Sequence, residues 1–190
     1  RGPRARVRWR TGPVRPRPLP GPQPDEQGNG VLETVYRRDG EQVARNGGVL
    51  DAVIAEGHQV GNHTFTHPHL TWSRTSKVRE ELERGQEAIQ GATGTLPTIF
   101  RVPHGWYGPQ VISTAGELGL GCVGWSVMAW DWNRPPSETI RRRILRGAGP
   151  GGITPLHDGQ DTDAFPEADP SRTIAAVPHI IRTLKDSGYS

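Results

Sequence analysis

Apolar residues recur along this chain at two spacings, and from about residue 40 onward the two spacings alternate. In some segments they share one side of a 3.6-residue repeat, as Val78, Leu82 and Ile89 do, which predicts an amphipathic α-helix. Elsewhere, short apolar runs are bounded by glycine or proline, which favours buried β-strands. The pattern predicts helices over residues 40–58, 75–91, 109–119, 137–147 and 171–187. It predicts strands over residues 58–63, 98–103, 121–128 and 152–158.

Capping residues mark the limits of the later helices. Ser137 and Ser171 stand where an N-cap side chain would accept a backbone hydrogen bond, and Gly188 follows the last helix. Pro178 interrupts the last helical pattern, which predicts a kink or a restart at that residue.

Repeated strand–helix units imply parallel strands with helices packed outside them, so the predicted fold class is α/β. A length of 190 residues fits one domain with a core of its own. Polar clusters stand at the ends of successive predicted strands: GNHTFTHPHL (61–70), FRVPHGWYG (100–108), WSVMAWDW (125–132) and ITPLHDG (153–159). Barrel enzymes build their sites at the carboxyl ends of parallel strands, and this arrangement matches that rule.

Composition narrows the classes of protein that the chain could represent. The single cysteine, Cys122, excludes an internal disulfide framework. No run of about 18 apolar residues occurs, so no membrane span is expected. No basic start followed by an apolar stretch is visible, so we identify no signal peptide. The pattern of residues gives no information about oligomeric state.

The basic character of the chain belongs to its first 24 residues. They hold seven arginines, seven prolines and no acid, and removing those seven charges from the net +3 leaves −4 for residues 25–190. Such an arm could contact nucleic acid or an acidic surface. It contains Trp9 as its only aromatic residue, so nucleic-acid binding is the less favoured interpretation. Disorder or an artefact of the sequence record is favoured, because the arm cannot bury enough apolar surface to fold.

The first polar cluster places His63 and His67 four residues apart, a spacing at which two imidazoles can reach one divalent metal ion. Taken alone, this spacing favours an ordinary surface or core pair, and the later clusters shift the interpretation toward a metal site. A catalytic zinc site needs at least one more protein ligand and an open position. In the later clusters, a carboxylate at Asp131 between two indoles calls for a cationic or N–H partner, for which His157 is suitable. Arg101, within a predicted strand, likewise calls for a carboxylate partner, and a structural ion pair is its alternative interpretation.

Taken in order, four short motifs resemble those of the polysaccharide deacetylases of the NodB-homology type, carbohydrate esterase family 4. They are HTFTH (63–67), RVPHG (101–105), DW (131–132) and LH (156–157). Each is weak alone, and their shared order is specific. The resemblance covers residues 40–190 and implies a distorted (β/α) barrel, preceded here by an atypical segment over residues 1–39, with a final strand expected where the chain ends. It implies a divalent metal ion, usually Zn²⁺, although Co²⁺ or Mn²⁺ would suit the same ligands.

The resemblance further implies removal of N-acetyl groups from chitin oligomers or peptidoglycan, or of O-acetyl groups from xylan, outside the cell or in its envelope. By position, His63 and His67 would hold the metal, and the backbone N–H of His104 would stabilise an oxyanion. His157 would protonate the departing amine, with Asp131 fixing its orientation. The remaining family-like positions are Arg101 of the arginine–proline motif and Leu156 lining an acetyl pocket. Trp106, Tyr107, Trp130 and Trp132 are sugar-stacking candidates, and ordinary packing is an equally good interpretation of each.

The first motif of the family, two adjacent aspartates that supply the general base and a third metal ligand, is missing. Arg10 and Thr11 stand at the corresponding positions, and no Asp–Asp pair occurs before His63. His69 is close in sequence but is expected to point away from the metal. A frameshift or wrongly placed start over residues 1–39 is favoured over a genuine loss of the acids. As written, the chain is expected to be a poor catalyst, because losing a general base costs about 10²–10⁴-fold in rate. A non-catalytic carbohydrate-binding pseudoenzyme is the alternative function.

Overall fold

The computed structural model of the protein describes residues 47–158 and 169–189, with side chains from Leu50 onward. Within these ranges the helices are α1 (Gly47–Ala55), α2 (Thr75–Thr93), α3 (Pro109–Glu117), α4 (Ser137–Gly147) and α5 (Ser171–Asp186). The strands are β1 (Ile99–Phe100) and β2 (Gly121–Cys122), and single turns of 3-10 helix cover Pro103–Gly105 and Asp131–Asn133. Each predicted helix is present, although residues 40–46 and the atypical segment over residues 1–39 lie outside the described residues.

Helix α2 follows the predicted apolar repeat and forms the base of the first polar cluster. Val78, Leu82 and Ile89 are buried along one side of it. It continues past the predicted end at residue 91 and stops at Gly94, whose φ of 71° is left-handed and whose N–H donates to Gln90 O at 2.8 Å. Glycine adopts this conformation without a Cβ penalty, so Gly94 ends the helix.

The two predicted serine N-caps are wrong. Ser137 and Ser171 are the first helical residues, and a proline occupies the flanking position before each. Proline at the cap position leaves no side-chain acceptor there. At α5, the Asp169 carboxylate instead accepts hydrogen bonds from the N–H and hydroxyl of Ser171, both at 2.9 Å. Helix α5 runs through Pro178 as one element.

The strands are parallel, as predicted, but much shorter than predicted. β1 pairs with β2 in parallel, with Phe100 opposite Cys122, and on its other side Phe100 forms a parallel bridge with Asn62. Of the predicted strand over residues 58–63, only the bridge at Asn62 is present. Residues 152–158, also predicted as a strand, form none. There, Ile153 O accepts hydrogen bonds from the backbone N–H groups of residues 126 and 127, at 2.9 and 3.2 Å. Pro103 and Pro155 lack the N–H that a longer ladder would need.

Two apolar clusters fill the spaces between helices and strands. One joins α2 and α3 to β1 and consists of Leu70, Val78, Leu82, Phe100, Val102, Val111, Ala115 and Leu120. The other joins α4 to α5 and consists of Ala129, Ile140, Ile144, Ala176 and Ile180. No helix of the described ranges has both the length and the apolar character needed to cross a membrane.

Candidate active site

The side chains of His63 and His67 converge. His63 directly follows the bridge residue Asn62, and its Nδ1 lies 2.5 Å from Arg101 O. Because a carbonyl oxygen only accepts, Nδ1 carries the proton and Nε2 of neutral His63 keeps its lone pair. His67 Nε2 lies 3.2 Å from His63 Nε2. Two imidazole nitrogens bound tetrahedrally to zinc at about 2.0–2.1 Å would lie about 3.3 Å apart, so the pair fits two positions of a zinc site.

Several residues of this site have a left-handed, and therefore strained, backbone conformation. Thr64, His67, His104 and Trp130 all have left-handed φ angles, of 72°, 58°, 59° and 55°. Such conformations cost about 1–3 kcal/mol each for residues other than glycine, and they concentrate at functional sites. Only one further non-glycine residue of the described ranges, Arg134, shares this property. The strain therefore falls on two of the four family-like motifs, HTFTH and RVPHG, and on Trp130, the residue directly before the DW motif.

His104 lies against the histidine pair. Its ring meets the ring of His67 edge-on at 4.5 Å and stacks on the ring of His69 at 3.7 Å. The next residue, Gly105, has a φ of 76°, and a Cβ there would lie 2.3 Å from the ring of Trp125. Only glycine fits this turn, so the geometry accounts for the glycine of the RVPHG motif. A role for the His104 backbone N–H in stabilising an oxyanion stays a prediction.

Among the described residues, His63 and His67 are the histidines whose ring nitrogens converge. Within residues 47–158 and 169–189, no group of three His, Cys, Asp or Glu side chains could hold a metal ion together. His69 supports the ring of His104 instead of joining the pair, in line with the expectation that it points elsewhere. The positions corresponding to the first motif of the family, at residues 10 and 11, lie outside the described residues.

Asp131 and His157 form the second half of the site. The buried Asp131 carboxylate accepts hydrogen bonds from His157 Nδ1 at 2.9 Å and from the His157 backbone N–H at 2.7 Å. Thr173 Oγ1 donates to the same carboxylate at 3.2 Å. Burial raises the pKa of the Asp131 carboxyl, but the hydrogen bonds and charge of His157 outweigh it, so the pKa lies below its ordinary value. Asp131 is therefore ionised at neutral pH, and it leaves His157 Nε2 as the ring nitrogen that can act on a substrate.

The predicted aromatic residues divide into two groups. Trp132 packs edge-on against the His157 ring at 5.2 Å, and Trp130, which is half exposed, lies against Trp132 at 5.1 Å. Trp106 and Tyr107 are exposed just after the His104 turn. Leu156 packs against the α4–α5 cluster, and Arg101 contributes its backbone carbonyl to His63. Roles for Leu156 in an acetyl pocket and for the Arg101 guanidinium stay predictions.

Sequence analysis missed Trp72, which is 92 % exposed. It lies in the turn just before α2, and Gln110 Nε2 donates to the carbonyl of the neighbouring Thr71 at 3.0 Å. His69, just before this turn, stacks on His104. The turn carrying Trp72 is therefore tied at two points to the segment that carries Trp106. Its position two residues after the polar cluster that ends at Leu70, outside any apolar repeat, is the signal that could have identified it.

Sequence analysis also missed the residues that support the histidines from beneath. Asn62 is fully buried, and its amide donates to Leu82 O and accepts from Thr64 N, both at 2.8 Å. Glu81 is fully buried on α2 and accepts hydrogen bonds from residues 65 and 66. Glu81 lies three positions after Val78 and one before Leu82, so a carboxylate on the apolar side of a helix was the available signal.

Each half of the site follows a backbone pairing. His63 and His104 follow the segments that pair at Asn62 and β1, while Asp131 and His157 follow the segments joined through Ile153 O. The carboxyl ends of parallel strands meet at one edge of a sheet, and the expectation that both halves lie at one such edge stays a prediction.

Comparison with known proteins identifies the class to which this fold and site belong. A family model described as polysaccharide deacetylase matches residues 28–123. A chitooligosaccharide deacetylase of Bradyrhizobium is 33% identical over 155 residues, which cover 79% of this chain and 71% of that protein. A peptidoglycan-N-acetylglucosamine deacetylase of Listeria monocytogenes is 33% identical over 84% of this chain, and this chain spans 33% of its length.

Solved structures agree with the sequence comparison. A family 4 carbohydrate esterase from Streptomyces lividans is 32% identical with a TM-score of 0.70, over 83% of this chain and 76% of that one. A family 4 pseudoenzyme from Bacillus anthracis is 26% identical with a TM-score of 0.70, over 84% of this chain and 53% of that one. The chain belongs to the polysaccharide deacetylase family, carbohydrate esterase family 4. Its fold is accordingly the distorted (β/α) barrel of that family, as predicted.

Proposed function

We propose that this chain is a metal-dependent hydrolase domain that removes acetyl groups from an N-acetylated polysaccharide, with reduced activity. The observation that carries the proposal is the 3.2 Å approach of His63 Nε2 to His67 Nε2, with His63 Nδ1 fixed on Arg101 O. This leaves a lone pair on His63 Nε2 at the spacing that a tetrahedral divalent ion requires. Nitrogen ligands favour Zn²⁺, with Co²⁺ and Mn²⁺ as alternatives.

A metal ion held by the two imidazoles would polarise the acetyl carbonyl and lower the pKa of a water molecule. As that water attacks the carbonyl carbon it must lose a proton, and without the Asp–Asp pair this proton passes to bulk water, which keeps the reaction slow. The chain's own groups supply two other steps. The backbone N–H of His104 donates to the oxygen that becomes negative as the carbonyl carbon turns tetrahedral. Protonated His157 gives the proton on Nε2 to the amine nitrogen as the C–N bond breaks, so acetate and a sugar with a neutral amine are released. Asp131 keeps that imidazole oriented and stabilises its positive charge.

The substrate class follows from the exposed rings beside the histidines. Trp106, Tyr107 and Trp130 present apolar faces on which sugar rings can stack, and Trp72 extends the same surface. The relatives named above act on chitooligosaccharides or peptidoglycan, so an N-acetylglucosamine polymer is the substrate we infer. Acetylated xylan is the less favoured substrate.

Reduced activity follows from the sequence that precedes His63. No Asp–Asp pair occurs there to supply a general base and a third ligand. The same observation favours a second candidate, a carbohydrate-binding pseudoenzyme that retains the surface without effective catalysis. One structural neighbour is itself a family 4 pseudoenzyme, and a mutant of that protein has restored enzymatic activity.

Acetate release and oligomer binding together separate the two candidates. The purified chain is assayed with N-acetylglucosamine oligomers at saturating Zn²⁺, beside a His67→Ala variant as the inactive reference. Slow acetate release that requires Zn²⁺ and is lost in His67→Ala supports the deacetylase. Oligomer binding without acetate release supports the pseudoenzyme, and absence of both binding and release would contradict the proposal.

A further inference from the structure

The loop between the two histidines is held by one carboxylate from α2. Glu81 Oε2 accepts hydrogen bonds from the backbone N–H groups of Phe65 at 3.1 Å and Thr66 at 2.8 Å. Glu81 Oε1 accepts from the hydroxyl of Thr66 at 2.7 Å. Phe65 and Thr66 are the middle residues of HTFTH, and Thr64 and His67 on either side of them are left-handed. The carboxylate therefore contacts the loop between its two strained positions.

Helix α2 supplies further contacts to the same loop and to the same carboxylate. Lys77 Nζ lies 3.0 Å from Glu81 Oε1, so the buried charge has a cationic partner one turn away. The guanidinium of Arg84 lies 3.8 Å above the ring of Phe65. Together these contacts fix the loop on helix α2.

Packing alone does not require a carboxylate at position 81. A fully buried carboxylate is costly to desolvate, and an apolar side chain at this position on α2 would suit the surrounding core. An apolar residue would, however, leave two adjacent loop N–H groups without this acceptor. A short side chain such as aspartate would not span the same distance from the helix. Glutamate at position 81 therefore suits the hydrogen-bond donors of the loop better than it suits the apolar core.

We propose that Glu81 is a positioning residue for the histidine pair, and that it fixes the loop so that the Nε2 atoms of His63 and His67 converge on one ion. The inference rests on the proposed metal site, and it deepens that proposal by naming what sets the geometry of its ligands. Outer groups that orient metal ligands typically change metal affinity by about 10–100-fold when they are removed. Glu81 acts on the loop backbone, so its removal affects both histidines together.

The test uses the full chain with Glu81→Ala, Glu81→Gln and Thr66→Val. The matched control is Glu83→Gln, an exposed carboxylate of the same helix that pairs with Arg79. Two quantities are measured: the ring resonances of His63 and His67 by NMR without metal, and the Co²⁺ dissociation constant from its visible absorption spectrum. We expect shifted ring resonances and about 10–100-fold weaker Co²⁺ binding in Glu81→Ala. Glu81→Gln and Thr66→Val should show smaller effects in the same direction, and Glu83→Gln none.

Wild-type ring resonances and wild-type Co²⁺ affinity in Glu81→Ala would overturn the inference. If Glu81→Ala does not fold, the same decision is made on Glu81→Gln and Thr66→Val, which remove a charge and one hydrogen bond with little change in volume. A wild-type chain that binds no Co²⁺ would contradict the metal proposal, and the ring resonances would then decide the role of Glu81 by themselves. Lower thermal stability with unchanged resonances and affinity would mark Glu81 as structural only, which also overturns the inference.

Discussion

His157 gives both its ring Nδ1 hydrogen and its backbone N–H to the carboxylate of Asp131, at 2.9 and 2.7 Å. The backbone bond places the residue, and the ring bond sets its tautomer and orientation. A histidine held in this way presents only Nε2 to a substrate. The pair therefore has the geometry of an imidazole oriented by a carboxylate, and the role of His157 as a general acid stays a prediction.

Replacing Asp131 by asparagine is expected to lower kcat by about 10²–10⁴-fold with little change in KM, because the variant loses the charge that stabilises the protonated ring. Acetate release from an N-acetylglucosamine oligomer measures both constants. Asp158→Asn is the control, since Asp158 is exposed and adjacent to His157 in sequence. Equal loss of kcat in the two variants would argue against a specific role for Asp131.

Stability in acid is expected to depend on the same carboxyl. The pKa of Asp131 is lower in the folded chain than its ordinary value, so the unfolded chain takes up the proton first as the pH falls. The stabilisation is present above the unfolded pKa of about 3.9 and is lost as the pH falls through the lower folded pKa. Urea unfolding between about pH 5 and pH 2.5 should show a shallower loss of stability in Asp131→Asn than in the wild type. Parallel curves would show that the carboxyl does not contribute.

Metal binding is expected to depend on His67 and not on the nearby His69. His67→Ala removes a nitrogen of the converging pair and should weaken Zn²⁺ binding by at least about tenfold, as judged by competition with a chromophoric chelator. His69→Ala removes only the ring stacked on His104, so its Zn²⁺ affinity should equal that of the wild type. Weaker binding in both variants to the same extent would identify His69 as a ligand and contradict the assignment.

The contribution of Trp72 to sugar binding is expected to be larger for long oligomers than for short ones. If Trp72 and Trp106 contact different sugar rings, Trp72→Ala should raise KM for a pentamer by about fivefold, or about 1 kcal/mol, and leave a dimer nearly unaffected. Ile181→Ala, an exposed apolar residue on α5, is the control. A length-independent effect of Trp72→Ala would indicate that Trp72 supports the fold of its turn and not a sugar.

Sequence patterns predicted the parts of this protein that depend on local order along the chain. The residue repeat located the helices, and the family-like motifs identified His63, His67, Asp131 and His157, which the structure brings together in two pairs. The strands were predicted too long, because pairing depends on which segments lie side by side and not on apolar character alone.

The supporting residues were missed for a related reason. Glu81 acts on a loop 15 residues earlier in the chain, and only the folded helix shows that its carboxylate faces that loop. Trp72 belongs to none of the four motifs. Its relation to Trp106 depends on the contact between Gln110 and Thr71. Periodicity describes one element at a time, so contacts between elements lie beyond it.

The close approach of α2 to Asn62 gives the sharpest test of the support beneath the histidines. A Cβ at Gly85 would lie 2.6 Å from Asn62 Oδ1, and Asn62 cannot move aside without losing its bonds to Leu82 O and Thr64 N. Gly85→Ala is therefore expected to lower the free energy of unfolding by about 1–3 kcal/mol.

Gly91→Ala, on the same helix, is the matched control, since nothing lies within 4 Å of a Cβ there. It should raise the free energy of unfolding by about 0.5–1 kcal/mol, because alanine loses less backbone entropy on folding. Chemical unfolding of both variants measures the difference. Because Thr64 begins the histidine loop, Gly85→Ala should also weaken metal binding, whereas Gly91→Ala should not. The two substitutions should change the free energy of unfolding in opposite directions, because only the Cβ at Gly85 meets Asn62. Equal changes in the two variants would show that the Asn62 side chain can move aside.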